Sequence, residues 1–240
     1  MTRLPWYYVY SQRYEALHHM FSNSIKDPRF NVTPLFVDQS EFSKVTYNNI
    51  GSHYLTGCFI KQEIILHILK KLPTNTYFLF TDVDFVILNE KGLYEYFQGY
   101  MDRGVDMMYM WEGNTCNVGF ALLRANEKTI AYFEKVVKIG RENSDLNDVE
   151  VMFPLFSEFP GTIEILDKSV ICLSNYYNET EKSGIKMVQL LCSNSKDYKH
   201  NMTEKYMTSK AFGCPIEKYI NMAICNGRTT DELGLFKPPV

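Results

Sequence analysis

Hydrophobic positions in the first half of the chain follow two different spacings. Residues 6–11 and 31–37 are short apolar runs typical of β-strands, whereas 14–25 and 59–72 repeat apolar side chains every three or four positions, as the buried face of a helix does. Strands that alternate with helices predict a mostly parallel sheet with crossover helices. Pro34 interrupts the second apolar run and predicts an edge strand or a bulge there.

The alternation continues to about residue 148 and is less regular beyond it. Asn126 and Gly140 are predicted to be the N-cap and the C-cap of a helix between them. The remaining predicted elements are strands at 76–80, 106–111, 117–125, 162–166, 170–174 and 186–192, and helices at 92–101 and 148–159, the latter broken at Pro154. The pattern predicts one α/β domain over residues 1–240, with helices flanking the sheet and an irregular C-terminal third.

Composition narrows the class of protein. The chain has 240 residues, enough to bury one sizeable core, and its 45% hydrophobic and 22% charged residues exclude a disordered or fibrous protein. The net charge of -3 and the pI near 6.0 argue against a general nucleic-acid-binding surface. No nucleic-acid partner is expected, and the sequence gives no information on oligomeric state.

Targeting signals are absent from the sequence pattern. No apolar run reaches the roughly 18 residues of a membrane span, and polar residues 11–13 interrupt the N-terminal run too early for a secretory leader. The six cysteines form no C-x-x-C pair, so reduced thiols in a cytosol are expected. The N-x-T sequons at Asn31, Asn178 and Asn201 are then expected to be unused. These observations predict a cytoplasmic protein, of bacterial or viral origin, or an isolated domain of a longer one.

Two carboxylates stand in the apolar stretch TYFLFTDVDFVIL, at Asp82 and Asp84. Side chains at i and i+2 of an extended chain point the same way, so the two acids are expected to share one face. Burying unpaired charge costs several kcal/mol, and two close carboxylates repel each other, so a positive group is expected beside them. A simpler alternative is that both acids only cap a turn after the strand.

The surroundings of the pair favour a ligand site. Ligands of open α/β sheets bind just beyond the carboxyl ends of the strands, where this pair lies. Carboxylate oxygens suit Mg²⁺ or Mn²⁺ better than Zn²⁺, and an ion held by two carboxylates usually completes its shell with water and substrate phosphates. Asp82 and Asp84 therefore predict a divalent cation and, with it, a nucleotide or a sugar diphosphate.

Three segments in order resemble the GT-A nucleotide-diphospho-sugar glycosyltransferases: YFLFTDVDFVIL, NTCNVGFALLRAN and LNDVEVMF. The resemblance covers about residues 59–156 and implies a single GT-A, Rossmann-like domain. It also implies that Asp82 and Asp84 form the DxD motif, here D-V-D, which binds Mn²⁺ or Mg²⁺ and through it the donor diphosphate of a UDP- or GDP-sugar. Residues 1–115 would then form the nucleotide-sugar-binding half and residues 116–240 the acceptor-binding half.

The same resemblance implies roles for residues outside the motif. Asn117 and Gly119 would line the donor and acceptor pocket, and Asp148 would contact the transferred sugar, with Val149 in place of the family's usual glutamine. Asp148 and Asn117 are therefore the catalytic candidates. Lys61 would reach the donor phosphates, although a solvated helix lysine is the alternative.

Candidates at the two ends of the chain complete the predicted site. His200 is the histidine available as a third metal ligand, against the alternative of a surface histidine in a polar loop. Ser11 and Arg13 follow the first strand, where this fold usually seats the base and ribose. Tyr14 could stack on the base, or instead begin the apolar face of the first helix.

The predicted function is metal-dependent transfer of a sugar from a nucleoside diphosphate to a hydroxyl of a glycan, lipid or protein. One alternative is a haloacid-dehalogenase-like Mg²⁺-dependent phosphatase, whose strand also ends in D-x-D, although such enzymes usually carry it on their first strand. Another alternative is a sugar-nucleotide-binding module without catalytic activity.

Overall fold

Nine strands and seven helices form the protein in the computed structural model, which describes residues 3–38, 53–143, 146–179, 184–190 and 198–233. The strands are β1 (Leu4–Tyr10), β2 (Phe30–Phe36), β3 (Tyr77–Asp82), β4 (Phe85–Ile87), β5 (Met107–Glu112), β6 (Thr115–Arg124), β7 (Ile163–Leu166), β8 (Ile171–Leu173) and β9 (Met187–Gln189). The helices are α1 (Glu15–Ser24), α2 (His53–Lys71), α3 (Leu93–Asp102), α4 (Glu127–Glu142), α5 (Asp148–Leu155), α6 (Tyr198–Ala211) and α7 (Ile216–Cys225).

Six strands make the central sheet in the order β2-β1-β3-β6-β5-β7. β1 pairs in parallel with β2 and β3, and β5 pairs in parallel with β7, whereas β6 runs antiparallel to both of its neighbours. The prediction of a mostly parallel sheet flanked by helices is confirmed. Pro34 lies in β2, an edge strand of this sheet, as its missing N–H donor requires.

Both faces of the central sheet are buried, because successive side chains of a strand point to opposite faces. In β3, Phe78 and Phe80 pack with Phe59 of α2 and Phe133 of α4. Leu79 points to the other face, in the core that holds residues of α1, α3, α6 and α7. The near-continuous apolar runs in the sequence therefore reflect strands covered on both sides.

A second sheet of order β4-β9-β8 fastens the C-terminal third to the end of β3. β3 ends at Asp82 and β4 starts at Phe85, so the chain leaves one sheet for the other within the D-V-D segment. The backbone N–H of Leu190, just after β9, donates to the carbonyl oxygen of Asp84 at 2.8 Å. The apolar run 76–88 thus contains two strands in different sheets, and the first ends at Asp82, two residues beyond the predicted end at Phe80.

Both ends of α4 test the predicted caps. The Asn126 side chain accepts a hydrogen bond from the backbone N–H of Thr129, which confirms the N-cap. Gly140 is not the C-cap: α4 continues to Glu142, and Asn143 is the cap. A Cβ atom built on Gly140 would lie 1.9 Å from the ring of Phe59, so this glycine allows α2 and α4 to pack closely.

Candidate active site

The carboxyl ends of the parallel strands meet the start of antiparallel β6 at one edge of the central sheet. A cavity of about 700 Å³ opens there, within the size range of pockets that hold small ligands. The predicted site residues that line it are Ser11, Arg13, Tyr14, Lys61, Asp82, Asp84, Asn117, Gly119 and Asp148. The fold thus brings together residues that are more than 130 positions apart in the sequence.

Lys61 of α2 bridges two carboxylates of the cavity. Its Nζ lies 3.2 Å from Oδ1 of Asp82 and 3.0 Å from Oδ2 of Asp148. Burial disfavours the charged ammonium, but Asp148 and Asp82 outweigh that effect and raise the pKa of Lys61 well above its usual range. Lys61 is therefore a fixed positive charge, and the alternative of a solvated helix lysine is excluded by its burial.

Asp82 responds to several neighbours at once. The pKa of this carboxyl group is raised to about 6 in total. Burial is the largest cause, Lys61 opposes the rise, and the nearby Asp84 and Asp148 add to it. About 30% of the Asp82 side chain remains exposed, so this carboxylate keeps access to the cavity.

Asp84 takes its partners from the C-terminal third of the chain. Gln189 of β9 donates from Nε2 to Asp84 Oδ1 at 3.2 Å, and the Nζ of Lys205 on α6 forms an ion pair with Asp84 Oδ2. Lys205 also donates to the carbonyl oxygen of Leu190 at 2.6 Å. The positive group expected beside the acid pair is present, and it is a lysine side chain.

Gln189 and Lys205 line the cavity but were not predicted from the sequence. They lie 105 and 121 positions after Asp84, and no local motif marks either of them. The amide oxygen of Gln189 is buried and has no hydrogen-bond partner in the part of the chain that the structure describes. An unpaired buried acceptor costs free energy, which a ligand hydroxyl would recover.

Gly119 marks the closest approach of the β6 backbone to the acids. Its N–H donates to Oδ1 of Asn117 at 2.7 Å. A Cβ at this position would lie 2.7 Å from Asp82 Oδ2 and from Gln189 Nε2, closer than real side chains come. Glycine is therefore required here by space and not by a positive φ angle.

Glu112 is a further carboxyl of the cavity that sequence reasoning missed. It is the last residue of β5, and Asn117 on the neighbouring strand hydrogen-bonds to it. Burial raises its pKa above the ordinary value, and the bond from Asn117 opposes that rise. The available signal was its position directly after the apolar run MMYMW, which matches the position of Asp82 after its own strand.

Asp148 is placed by the start of α5. Asn147 caps this helix in a reciprocal capping box with Glu150. The buried Asp148 carboxylate accepts from the N–H of Val149 at 3.1 Å through Oδ1 and from Gln62 at 3.4 Å through Oδ2. Val149 lines the cavity with an apolar side chain that cannot donate to a sugar.

The segment after β1 forms the opposite wall. A short 3₁₀ turn at residues 12–14 follows Ser11, and Ser11, Arg13 and Tyr14 all line the cavity. Tyr14 also packs against the hydrophobic core, as its alternative role at the start of the first helix predicts.

His200 lies apart from the acids. It is on α6 with about half of its side chain exposed, and its Nε2 is 3.3 Å from Glu204 of the same helix. It is not among the described residues that line the cavity. Over the described ranges, no group of three His, Cys, Asp or Glu side chains is arranged to hold a metal ion.

The acid pair itself does not fit a divalent cation as arranged. Both oxygens of Asp82 accept from Lys61, at 3.2 and 3.4 Å, and those of Asp84 accept from Gln189 and Lys205. A cation bound by these oxygens would displace nitrogen donors and lie beside two ammonium groups that repel it. The predicted metal site at Asp82, Asp84 and His200 is not supported by this donor set.

Comparison with known proteins decides the family. The sequence profile described as nucleotide-diphospho-sugar transferase matches residues 17–203. The chain belongs to this family. No curated protein sequence matches it.

Solved structures of glycosyltransferases share the fold of this transferase-family protein. One is a glycosyltransferase involved in glycosylation of the major capsid of PBCV-1, with a TM-score of 0.62 and 13% identity over 86% of this chain and 99% of that one. Another is galactosyltransferase LgtC in complex with donor and acceptor sugar analogs, with a TM-score of 0.56 and 11% identity over 98% of each chain. Mouse xyloside xylosyltransferase 1 has a TM-score of 0.51 and 12% identity over 81% and 99%.

The GT-A fold prediction is confirmed by these neighbours. The described helices include none that is both long and apolar enough to cross a bilayer.

Proposed function

We propose that this protein transfers a glycosyl group from a nucleoside diphosphate sugar, with UDP or GDP as the carrier, to a hydroxyl group of a glycan, lipid or protein acceptor. The observation that carries the proposal is the cavity at the carboxyl edge of the sheet, which gathers Asp82, Asp84 and Asp148 in a chain of the nucleotide-diphospho-sugar transferase family. Residues 1–115 supply most of its donor side, and the acceptor side falls to residues 116–240.

The chemistry of the residues that line the cavity indicates which part of the donor each of them contacts. Ser11, Arg13 and Tyr14 receive the base and ribose, since an aromatic face and polar groups suit a nucleoside. Gly119 lets the donor approach the backbone, and Asn117 can hydrogen-bond to sugar hydroxyls. Lys61 acts in this scheme by holding Asp82 and Asp148, which revises its predicted direct contact with the phosphates.

The reaction makes one bond and breaks one. The acceptor oxygen bonds to the anomeric carbon, and the bond from that carbon to the diphosphate oxygen breaks with its electron pair on the leaving nucleoside diphosphate. Asp148, whose oxygens are held by Lys61, Gln62 and its own helix start, stabilises positive charge on the sugar. Glu112, whose pKa is raised by burial, accepts the proton of the hydroxyl.

The resemblance to the GT-A glycosyltransferases implies Mn²⁺ or Mg²⁺ at Asp82 and Asp84. The lysine and amide donors on these carboxylates do not support that assignment, and no step of the proposed reaction uses a metal.

A ligand and turnover screen tests the proposed function. Nucleoside diphosphates and their sugars are added with and without Mn²⁺, and the melting temperature is recorded, because a ligand that binds only the folded state raises it. At least one nucleoside diphosphate is expected to raise it, and its sugar is expected to release free nucleoside diphosphate slowly with water as acceptor. Asp148→Asn should lower that release about tenfold or more, whereas Asp102→Asn, an exposed change on α3, should not.

The possible results separate the three interpretations. Release of inorganic phosphate from simple phosphate esters would favour the phosphatase. Binding of the nucleotide without release from any donor would favour a non-catalytic module. If no nucleoside diphosphate or sugar nucleotide shifts the melting temperature, the proposed function is wrong.

A further inference from the structure

Lys205 is a buried charge in the wall of the cavity. Its side chain is about 9% exposed, and that of Asp84, its ion-pair partner, is about 11% exposed. Removing both charges from water costs several kcal/mol, and a buried ion pair often stabilises a protein no better than two apolar side chains would. The pair is therefore poorly explained by stability alone.

Its position gives another explanation. Lys205 forms an ion pair with Asp84 at the sheet edge where the D-V-D segment ends, and Lys61 forms one with Asp82. Each acid of the pair therefore already has an ammonium group as its partner. Three aspartates and two lysines give this cluster a formal charge of -1 (−3 + 2). With only one excess negative charge, the cluster attracts a divalent cation far less than two unpaired carboxylates would.

A lysine side chain can also bind the phosphate groups that a divalent cation would bind. The ammonium group is a compact point charge and a common phosphate binder in proteins. Lys205 is fixed by Asp84 and by the carbonyl oxygen of Leu190, so its charge is oriented before any ligand arrives. Preorganised charge at a leaving phosphate is an effective form of catalysis.

We propose that the Lys205 ammonium replaces the divalent cation at the D-V-D segment, so that this protein binds the diphosphate of its donor without a metal ion. The inference rests on the proposed function and departs from the metal-dependent chemistry that the sequence resemblance implies. It predicts that chelation leaves nucleotide binding intact.

Calorimetric titration of the whole chain with the nucleoside diphosphate that raises its melting temperature tests this proposal. The dissociation constant is measured in excess EDTA and in Mn²⁺ or Mg²⁺, and the two values are expected to agree within about threefold, less than one charged hydrogen bond contributes. In EDTA, Lys205→Met should weaken binding about tenfold or more. Lys205→Arg should retain most of it, because the charge is kept.

Lys210→Met is the matched control, since Lys210 is on the same helix, is exposed and pairs with Glu217 outside the cavity. It should bind as the unmodified protein does. Asp84→Asn combined with Lys205→Met removes both buried charges and so leaves no unpaired buried charge that would prevent folding. A loss of nucleotide binding in this double variant is then a loss of the ammonium group and not a failure to fold.

The outcomes distinguish a failure of this inference from a failure of the proposed function on which it rests. Nucleotide binding that appears only with a divalent cation overturns the inference and leaves the proposed glycosyl transfer standing. Unchanged binding by a folded Lys205→Met variant in EDTA also overturns it. If no nucleoside diphosphate binds with or without metal, both proposals are wrong.

Discussion

Gly119 shows how a single missing side chain shapes the site. The β6 backbone passes so close to Asp82 and Gln189 that a methyl group would lie 2.7 Å from each of them. Asp82 is paired with Lys61 and Gln189 is buried, so displacing either side chain would disturb these contacts. The glycine is consequently a determinant of where these polar groups stand.

Gly119→Ala is expected to weaken nucleoside diphosphate binding about ten- to a hundredfold, because it displaces Asp82 and Gln189 from their positions. The measurement is a calorimetric titration with the nucleotide found in the screen. Gly99→Ala is the control, since a Cβ there meets nothing nearer than 3.9 Å. Equal affinity of the Gly119→Ala variant and the unmodified protein would contradict the prediction.

The sequence predicted the acidic residues of the site better than their partners. Asp82 and Asp84 stand out because they interrupt an apolar run, and Asp148 was assigned through the resemblance to the GT-A glycosyltransferases. Lys205 and Gln189 carry no such mark, since a lysine in a polar helix and a glutamine in a short strand are common residues. Their partnership with Asp84 depends on contacts across more than 100 positions, which periodicity does not encode.

The contact between α2 and α4 shows that prediction from sequence is also limited for whole elements, because contacts between distant segments are not visible in the local pattern. The α2 helix was predicted from its apolar spacing and α4 from its capping residues, and the structure confirms both helices, with a shifted start for α2 and a shifted end for α4. Gly140 was assigned to the end of α4 because glycine commonly ends helices. It instead lies within the helix, where the ring of Phe59 fills the space of a side chain. A local rule could not anticipate this contact between helices.

Gly140→Ala should therefore destabilise the fold by about 1–3 kcal/mol, because the new methyl group overpacks the contact with Phe59. The free energy of unfolding in urea provides the measurement. Gly99→Ala, within α3, should instead stabilise the protein by up to about 1 kcal/mol, since alanine favours a helix over glycine. A Gly140→Ala variant at least as stable as the unmodified protein would exclude the proposed close packing.

Stability of the whole molecule should depend on pH through His18. The pKa of His18 is lowered to about 4, mainly by burial and also by His19, while Glu15 opposes the change. Neutral His18 stacks on Tyr10, with ring centroids 4.0 Å apart, and its Nδ1 shares a hydrogen bond of 2.7 Å with the Tyr8 hydroxyl.

The unfolded chain binds a proton at His18 below about pH 6.5, whereas the folded protein does so only below about pH 4. The free energy of unfolding should accordingly fall as the pH drops from about 6.5 to about 4. His18→Gln removes the titrating ring, keeps a side chain that can hydrogen-bond to Tyr8, and should reduce that fall, as measured by urea unfolding at several pH values. His67→Gln, at an exposed position of α2, should leave it unchanged. Parallel pH profiles for all three proteins would contradict this role of His18.

The attachment of Asp84 to residues near the end of the chain has a consequence for biosynthesis. The strands of the central sheet are complete once Leu166 has been made, yet Gln189 and Lys205 follow later. A nascent chain can therefore assemble its sheet while Asp84 still lacks the ammonium group of Lys205. The proposed nucleotide site is therefore completed after the central sheet, by contacts between residues more than 100 positions apart in the sequence.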